Sequence, residues 1–178
     1  WGVFFNTNGD AEIQVSEAIA FNGTVDCSNL SITDLTGIEA FTALTELRVS
    51  HNQLTSLDVS QNTALTRLGY GYNQLTSLDI IGATALTFLY CEDNQITILD
   101  VRNGNNQNFT NFYTTNNPNL ICIDVDDVAW STANWSDIDP QQYFSNSCSG
   151  TAIEEYSRNK ELLKVTDLLG RKTKQTKQ

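Results

Sequence analysis

The side chains best suited to bind a ligand through their own chemistry carry oxygen atoms and stand near the N-terminus. Their spacing matches a twelve-residue loop whose positions 1, 3, 5, 7 and 12 hold calcium. Amide and carboxylate oxygens are the hard ligands that calcium prefers, and the last glutamate of such a loop binds through both oxygens. The spacing predicts one calcium ion and no organic cofactor. The residues are Asn6, Asn8, Asp10, Glu12, which would contribute its backbone carbonyl, and Glu17.

This segment resembles an EF-hand loop and departs from it at two positions. Ala11 stands where glycine normally makes the sharp turn, and Asn6 is not a carboxylate. Only Asp10 and Glu17 would bring charged side chains to the metal, so the expected affinity is weak. The alternative is a polar loop that caps the fold without a metal.

Catalytic chemistry has little support in the sequence, because catalysis needs several groups that converge. His51 is the single histidine, and no repeat places a serine or cysteine nucleophile beside it. The sequence also contains no His-Glu-x-x-His motif, no glycine-rich phosphate loop and no paired Cys-x-x-Cys. It therefore predicts a protein that is not an enzyme.

Charge divides the sequence near residue 150. Residues 1–150 hold 17 acidic and 3 basic side chains, and residues 151–178 hold 4 acidic and 7 basic ones, in agreement with the net charge of −11. A body this acidic repels phosphate backbones and anionic lipids, so nucleic acids and membrane surfaces are poor partners. No apolar stretch is long enough for a transmembrane segment.

The elements that must position the candidate residues are internal repeats with a period of 21 residues. Close copies occupy 43–63, 64–84 and 85–107, a looser copy occupies 108–125, and a leading copy occupies 25–42. Apolar residues alternate with a period of two within each copy, which is typical of a short strand. One coil cannot bury its apolar side alone, whereas stacked coils bury a continuous column.

Two polar columns follow from the period. Asn52, Asn73 and Asn94 share one column and are predicted to bond backbone groups between coils. The other column consists of aspartates about 4.8 Å apart, the spacing of neighbouring strands. These aspartates are predicted to be solvated caps of turns, and the alternative is a ladder bridged by cations. They are Asp58, Asp79, Asp100 and Asp124.

The frame L-x-x-L-x-Φ-x-x-N-x-L, where Φ is apolar, resembles the leucine-rich-repeat family. The phrase NQLTSLDVS and its 21-residue period resemble the surface leucine-rich-repeat proteins of Bacteroidetes. The resemblance implies a β-rich solenoid of parallel strands in about five coils, with little helix and a cap at each end. It assigns 1–24 to the N-terminal cap with the EF-hand-like loop, 25–125 to the repeats and 126–150 to the C-terminal cap.

Residues 151–178 differ in composition from the repeats. The phrase KVTDLLGRKT at 164–173 resembles the start of the C-terminal sorting domain of the type IX secretion route. This resemblance implies a secreted or cell-surface protein at the exterior of the outer membrane, where disulfides persist. The alternative is a generic basic tail.

The four cysteines are predicted to divide into two pairs of different kinds. Cys27 and Cys91 share an inward column three coils apart, about 14 Å by strand spacing. Bridged Cα atoms lie within about 7 Å, so both are predicted to be free, buried thiols. Cys122 and Cys148 flank the C-terminal cap and are predicted to form the single disulfide.

The C-terminal cap is rich in aromatic side chains, among them Trp130 and Trp135. Their area is sufficient to seal the last coil. The alternative is that these tryptophans stack on a sugar.

The outward strand positions vary from coil to coil, whereas the return segments hardly vary. Exposed aromatic rings beside arginines and acids are typical of a recognition surface, so we predict a monomeric binding module with a protein partner. A glycan stacked on the tyrosines is the alternative, and regular threonine columns such as Thr45, Thr66, Thr87 and Thr110 leave ice or crystal-surface binding as a third. The candidate binding residues are Glu46, Arg48, His51, Arg67, Tyr72, Phe88, Tyr90, Glu92, Asp93 and Tyr113.

A shallow depression is expected on this surface, because Gly69 and Gly71 remove side chains from the second coil. Phe88 and Tyr90 are predicted to form one wall. Arg48 and His51 are predicted to form the other wall. A depression with aromatic walls suits an anchoring side chain or a sugar ring.

Overall fold

The computed structural model describes residues 13–148. The chain divides into two compact units, Trp1–Asn146 and Ser147–Gln178, and the fold described below is that of the first unit. The segment predicted to begin a sorting domain lies outside the described residues. So do four of the five predicted calcium ligands, Asn6, Asn8, Asp10 and Glu12.

The described chain consists of short strands joined by turns, with little helix. Its strands are β1 Thr24–Asp26, β2 Glu46–Arg48, β3 Arg67–Gly69, β4 Ser77–Asp79, β5 Phe88–Tyr90, β6 Ile98–Asp100, β7 Asn111–Tyr113, β8 Cys122–Asp124 and β9 Tyr143–Ser145. The helices are α1 Val15–Ala20 and α2 Val128–Asn134, and 3₁₀ turns span Ile38–Ala40 and Asn106–Asn108.

The strands form two parallel sheets on opposite walls of the coil. The first sheet has the order β1-β2-β3-β5-β7, and the second sheet has the order β4-β6-β8-β9. Every pairing between these strands is parallel. The prediction of a leucine-rich-repeat solenoid with stacked parallel strands is confirmed.

The 21-residue period sets the register of the first sheet. Leu47 pairs with Leu68 and Leu68 with Leu89, each 21 residues apart. Leu89 pairs with Phe112 across the coil that carries two extra residues. All four side chains are buried. Each coil therefore places the middle residue of its strand into one continuous apolar column.

The second sheet begins one coil later than the repeats predict. Residues 56–58 have the same sequence as β4 but do not form a strand, although the following Val59 is fully buried. The apolar pattern therefore predicts which side chains of this coil are buried. Whether the segment forms a strand also depends on a neighbouring segment with which its backbone can form hydrogen bonds.

Three of the four aspartates of the second wall cap turns, as predicted, whereas Asp124 is buried. Asp58 Oδ1 accepts a hydrogen bond from the Ser60 backbone N–H at 2.9 Å, and Asp79 accepts one from Ile81 at 2.8 Å. Hydrogen bonds from the backbone and hydroxyl of Ser60 lower the pKa of the Asp58 carboxyl, and hydrogen bonds from the guanidinium and backbone of Arg102 lower that of Asp100. A positive side chain lies beside this column of aspartates, because Arg102 Nε donates to Asp100 Oδ1 at 2.9 Å.

The asparagine column joins successive coils through buried hydrogen bonds. Asn73 Oδ1 accepts from the Leu54 backbone N–H at 3.0 Å, and Asn73 Nδ2 donates to the carbonyls of Val49 and Tyr70 at 3.0 and 2.9 Å. Asn52 and Asn94 make the same kinds of contact, and Asn117 continues the column by one coil. The structural role predicted for this column is confirmed.

The C-terminal cap packs aromatic rings against the last coil. Trp135 is 6% exposed and stacks on Phe112 with ring centroids 4.0 Å apart, and it also contacts Phe109 and Phe144. This burial leaves no ring face of Trp135 for a sugar. The cap also adds β9 to the second sheet, an extension that the aromatic pattern did not predict.

The cysteines divide as predicted. Cys27 and Cys91 are free and buried, whereas Cys122 and Cys148 are disulfide-bonded. Burial raises the pKa of Cys27 to about 11 and that of Cys91 to about 12. Both buried thiols therefore stay protonated at neutral pH.

Thiol titration tests this division. At about pH 8, Ellman's reagent is expected to leave Cys27 and Cys91 of the folded chain unmodified, because only the thiolate of an accessible cysteine reacts. Unfolding without reductant should expose two thiols, and unfolding with prior reduction should expose four. Four reactive thiols without reductant would contradict the disulfide.

Candidate binding site

The register of the first sheet brings the predicted outward residues into two columns. Glu46, Arg67 and Phe88 pair in sequence across β2, β3 and β5, and the column ends at Asn111. The adjacent column consists of Arg48, Gly69, Tyr90 and Tyr113. We call the outward surface formed by these two columns the sheet face.

Glu46 is the electrostatic centre of the sheet face. Its Oε1 accepts hydrogen bonds from Arg48 Nε at 2.9 Å and Arg67 Nε at 3.1 Å, and its Oε2 accepts one from the Thr24 hydroxyl at 3.1 Å. Desolvation opposes ionisation of Glu46, but these hydrogen bonds and the charge of Arg48 outweigh it and lower the pKa of its carboxyl. Glu46 is thus an ionised support for two arginines.

Arg67 lies between this carboxylate and an aromatic ring. Its guanidinium carbon is 4.1 Å from the centre of the Phe88 ring, within the range of a cation–π interaction. Phe88 is therefore partly covered by Arg67, which changes the prediction of an open aromatic wall.

A depression of about 220 Å³ opens above Gly69. A Cβ atom on Gly69 would meet only Ser50 Oγ, at 3.8 Å, so the space above this glycine is open. The depression is lined by Arg48, Arg67, Phe88 and Tyr90, together with Ser28, Glu46 and Ser50.

Two parts of the predicted depression are wrong. The space above Gly71 is filled, since a Cβ there would clash with the Tyr90 ring. His51 does not line the depression, because it lies in the turn after β2 with a φ of 57°. A left-handed residue turns its side chain away from the direction that strand alternation predicts.

That turn recurs in every coil and forms a rim beside the sheet face. Its residues have positive φ and are Asn29, His51, Tyr72, Asp93 and Asn116. Asparagine, aspartate and histidine are enriched in this conformation, whereas a bulky tyrosine is an outlier. The predicted binding residues His51, Tyr72 and Asp93 thus lie on a turn and not on the strands.

The rim carries a stacked aromatic pair. The rings of His51 and Tyr72 lie 4.2 Å apart and nearly parallel, and Tyr72 is 42% exposed. The nearby charge of Asp93 and a hydrogen bond to it raise the pKa of the Tyr72 hydroxyl. This places a neutral phenol beside a carboxylate at neutral pH.

Tyr90 connects the rim to the sheet face. Burial and a hydrogen bond with Glu92 raise the pKa of Tyr90, and its ring lies 5.9 Å from that of Tyr113. The structure thus brings Tyr72, Tyr90, Glu92 and Asp93 together, a cluster that strand alternation alone does not reveal.

The threonine columns are engaged in the fold. Thr66 Oγ1 donates to the Thr45 carbonyl at 3.0 Å, and the hydroxyls of Thr87 and Thr110 donate to the coil before them at 3.3 and 3.1 Å. These hydroxyl protons bond the backbone of the neighbouring coil. This geometry favours the structural interpretation of the column over ice or crystal-surface binding.

Within residues 13–148, no group of three or more His, Cys, Asp or Glu side chains is arranged to hold a metal ion. Glu17, the fifth predicted calcium ligand, lies in α1 and is 8% exposed. Its Oε2 accepts a hydrogen bond from the Gln14 backbone N–H at 3.1 Å, which caps the helix. Calcium binding stays a prediction.

The calcium prediction is tested by thermal unfolding with calcium and with a chelator. Millimolar calcium is expected to raise the Tm of the parent chain, because an ion that binds only the folded state stabilises it. Glu17→Ala should abolish that difference, although its own Tm also falls through the lost cap. If calcium leaves the Tm of the parent chain unchanged, the loop is a polar cap that binds no calcium.

The stacked parallel sheets and repeating coils define a leucine-rich-repeat solenoid fold. No family model matches the chain. Over 46 residues, 26% of this chain, the sequence is 50% identical to Internalin J of Listeria monocytogenes serotype 4b (strain F2365), of which the chain spans 5%.

Among the solved structures similar to this chain are two from Listeria monocytogenes. One is the functional domain of InlJ from Listeria monocytogenes, which includes a cysteine ladder, at 36% identity and a TM-score of 0.55 over 67% of this chain and 30% of that chain. The other is internalin C2 from Listeria monocytogenes, at 28% identity and a TM-score of 0.44 over 65% of this chain and 49% of that chain. Among the residues that the structure describes, none of the helices is long and apolar enough to cross a membrane.

Proposed function

We propose that this chain is a non-catalytic binding module that recognises a protein partner through the sheet face and its rim. The observation that carries the proposal is the depression above Gly69, which is bordered by two arginines and two aromatic rings. Tyrosine, tryptophan and arginine dominate the energetics of protein interfaces. The second sheet offers a different surface, in which Arg102 is engaged by the aspartate ladder.

The turn at Tyr72 supports the same location. A bulky residue in the left-handed region costs roughly 1–2 kcal/mol relative to an ordinary conformation, and such strain is concentrated at functional sites. Asn29 and Asn116 occupy the same turn position in other coils, so asparagine fits the fold there. A tyrosine in this strained turn therefore favours a role in recognition.

The proposed location is secreted or cell-surface, at the exterior of the outer membrane. The disulfide-bonded state of Cys122 and Cys148 supports an oxidising compartment. The resemblance of residues 164–173 to a sorting domain supports the outer-membrane route and, with the NQLTSLDVS phrase, a Bacteroidetes-type protein.

A glycan is the second candidate ligand, and Tyr72 is the observation in its favour. An exposed ring beside the Asp93 carboxylate combines a stacking platform with an acceptor for sugar hydroxyls. The other two tyrosines of this hypothesis, Tyr90 and Tyr113, are half-buried and packed near each other.

Parallel screens of the full chain on protein and glycan arrays test these alternatives. Hits are expected on the protein array, and Tyr72→Ala should weaken each hit at least about 10-fold. Tyr143→Ala is the matched control, because Tyr143 of the second sheet is 41% exposed against 42% for Tyr72. Hits that survive Tyr72→Ala and are lost on Tyr143→Ala would place binding elsewhere, and hits confined to glycans would favour the second candidate.

A further inference from the structure

We propose that Arg67 is the anchoring residue of the sheet face, and that the depression above Gly69 takes the carboxylate of an aspartate or glutamate of the partner. This inference rests on the proposed protein-binding function and names the chemistry recognised there. It is carried by the hydrogen bonds of the three arginines among residues 13–148.

Two of these arginines hold all three guanidinium nitrogens near acceptor oxygens of the fold, through hydrogen bonds in Arg102 and through ion pairs at the terminal nitrogens of Arg48. Arg102 bonds Asp100 through Nε and Nη2, and its Nη1 donates to the Asn146 carbonyl at 3.1 Å. Arg48 bonds Glu46 through Nε and Nη2, both at 2.9 Å, and its Nη1 lies 3.7 Å from Asp26. Arg102 thus has little donor capacity left for a ligand, and both terminal nitrogens of Arg48 already face carboxylates of the fold.

Arg67 differs, because it bonds the described residues through Nε only. Nε donates to Glu46 Oε1 at 3.1 Å, and neither terminal nitrogen has a hydrogen-bond partner among residues 13–148. Its side chain is 47% exposed and borders the depression. Two parallel N–H donors on one planar group match the two oxygens of a carboxylate.

The Arg67 side chain is also held in place before a ligand arrives. Phe88 supports one side of the guanidinium at 4.1 Å, and Glu46 fixes Nε. Glu46 is in turn fixed by Arg48 and Thr24. Less rotamer freedom is lost on binding when a side chain is already ordered, so these contacts strengthen recognition.

The depression beside Arg67 suits one acidic side chain. Its volume of about 220 Å³ lies below the range of roughly 300–1,000 Å³ for drug-sized ligands. Gly69 leaves the floor open, and the hydroxyls of Ser28 and Ser50 border the space. The lining therefore offers donors to an acceptor, since Glu46 already accepts three hydrogen bonds.

The net charge of the chain favours some anionic ligands over others. A net charge of −11 repels a doubly charged phosphate more strongly than a singly charged carboxylate. A protein partner can offset that repulsion with the rest of its interface, which a free acidic sugar cannot do. An aspartate or glutamate of a partner protein is therefore the assigned ligand.

Nuclear magnetic resonance of the full chain tests the assignment with small probes. The probe is N-acetyl-aspartate N-methylamide, and the controls are its asparagine analogue, glucuronate and inorganic phosphate. The Nε–H signal of Arg67 is expected to shift with the aspartate probe and to stay in place with the asparagine analogue. Arg67→Lys should weaken the binding at least about 5-fold, because lysine cannot donate two parallel bonds.

Two further variants separate the depression from general charge effects. Gly69→Val keeps the guanidinium but fills the open space, and valine suits a strand, so it should abolish the shifts while Tm is retained. Arg102→Lys changes a saturated arginine on the other wall and should leave the binding unchanged. The assignment is overturned if phosphate or glucuronate binds more tightly than the aspartate probe, or if no probe moves the Arg67 signal. Either outcome would overturn only the role of Arg67. The array screen with Tyr72→Ala tests the proposed protein-binding function independently.

Discussion

Replacing Asn73 by alanine is expected to lower the free energy of unfolding by about 3 kcal/mol or more. The side chain is 8% exposed and serves two coils at once. Alanine would leave the Leu54 N–H without its side-chain acceptor. The carbonyls of Val49 and Tyr70 would each lose one of two amide donors, because Asn52 and Asn94 also donate to them, and each lost hydrogen bond costs about 0.5–1.5 kcal/mol. Each buried polar group left unsatisfied costs about 1–3 kcal/mol.

Urea denaturation of the parent and of Gln74→Ala provides the comparison. Gln74 is the adjacent residue and is exposed, so its replacement should change the free energy of unfolding by no more than about 0.5 kcal/mol. A lower m-value for Asn73→Ala would show that the coils on its two sides unfold separately, as expected for a repeat array. Equal midpoints for the two variants would contradict the role of the asparagine column.

Replacing Trp135 by alanine is expected to lower the free energy of unfolding by about 3–5 kcal/mol, the range for a large aromatic side chain removed from a core. The ring stacks on Phe112, the buried strand residue of the last coil of the first sheet, and touches Phe109 and Phe144. Its removal exposes the end of the apolar column to water. A solenoid depends on its caps because each coil contacts only its neighbours.

Trp130→Ala is the control for this prediction, since Trp130 is only half-buried and meets Trp135 edge to face at 5.7 Å. It should cost clearly less than Trp135→Ala. Chemical denaturation followed by near-ultraviolet circular dichroism reports both values. The prediction is contradicted if the Trp135→Ala chain keeps the stability of the parent and loses binding to a glycan array. That result would favour the alternative in which this tryptophan stacks on a sugar.

Much of the candidate site could be predicted from the period of the repeats. A repeat length of 21 residues aligns Glu46 with Arg67, and Arg48 with Gly69, before any contact is known. Strand alternation then assigns these residues to the outward side. The same period aligned Asn52, Asn73 and Asn94, because stacking repeats one coil geometry.

The contacts among those residues could not be predicted in the same way. Arg48 and Arg67 both reach Glu46, but the terminal nitrogens of Arg48 pair with Glu46 and Asp26, whereas those of Arg67 have no hydrogen-bond partner among residues 13–148. Long side chains have several rotamers of similar energy, and the neighbours that select one come from different coils. The period gives the position of a Cα atom but not the direction of a guanidinium.

The sequence by itself determined the coil, its buried columns and the side of the sheet on which each outward residue stands. These features depend on apolar periodicity and on backbone hydrogen bonds, which repeat identically from coil to coil. Only the tertiary structure decided that Tyr90 fills the space above Gly71, that the depression lies above Gly69, and that Tyr72 stands in a left-handed turn. The reason is that these outcomes depend on side chains that differ between coils, and a repeating pattern carries no information about how unlike neighbours pack.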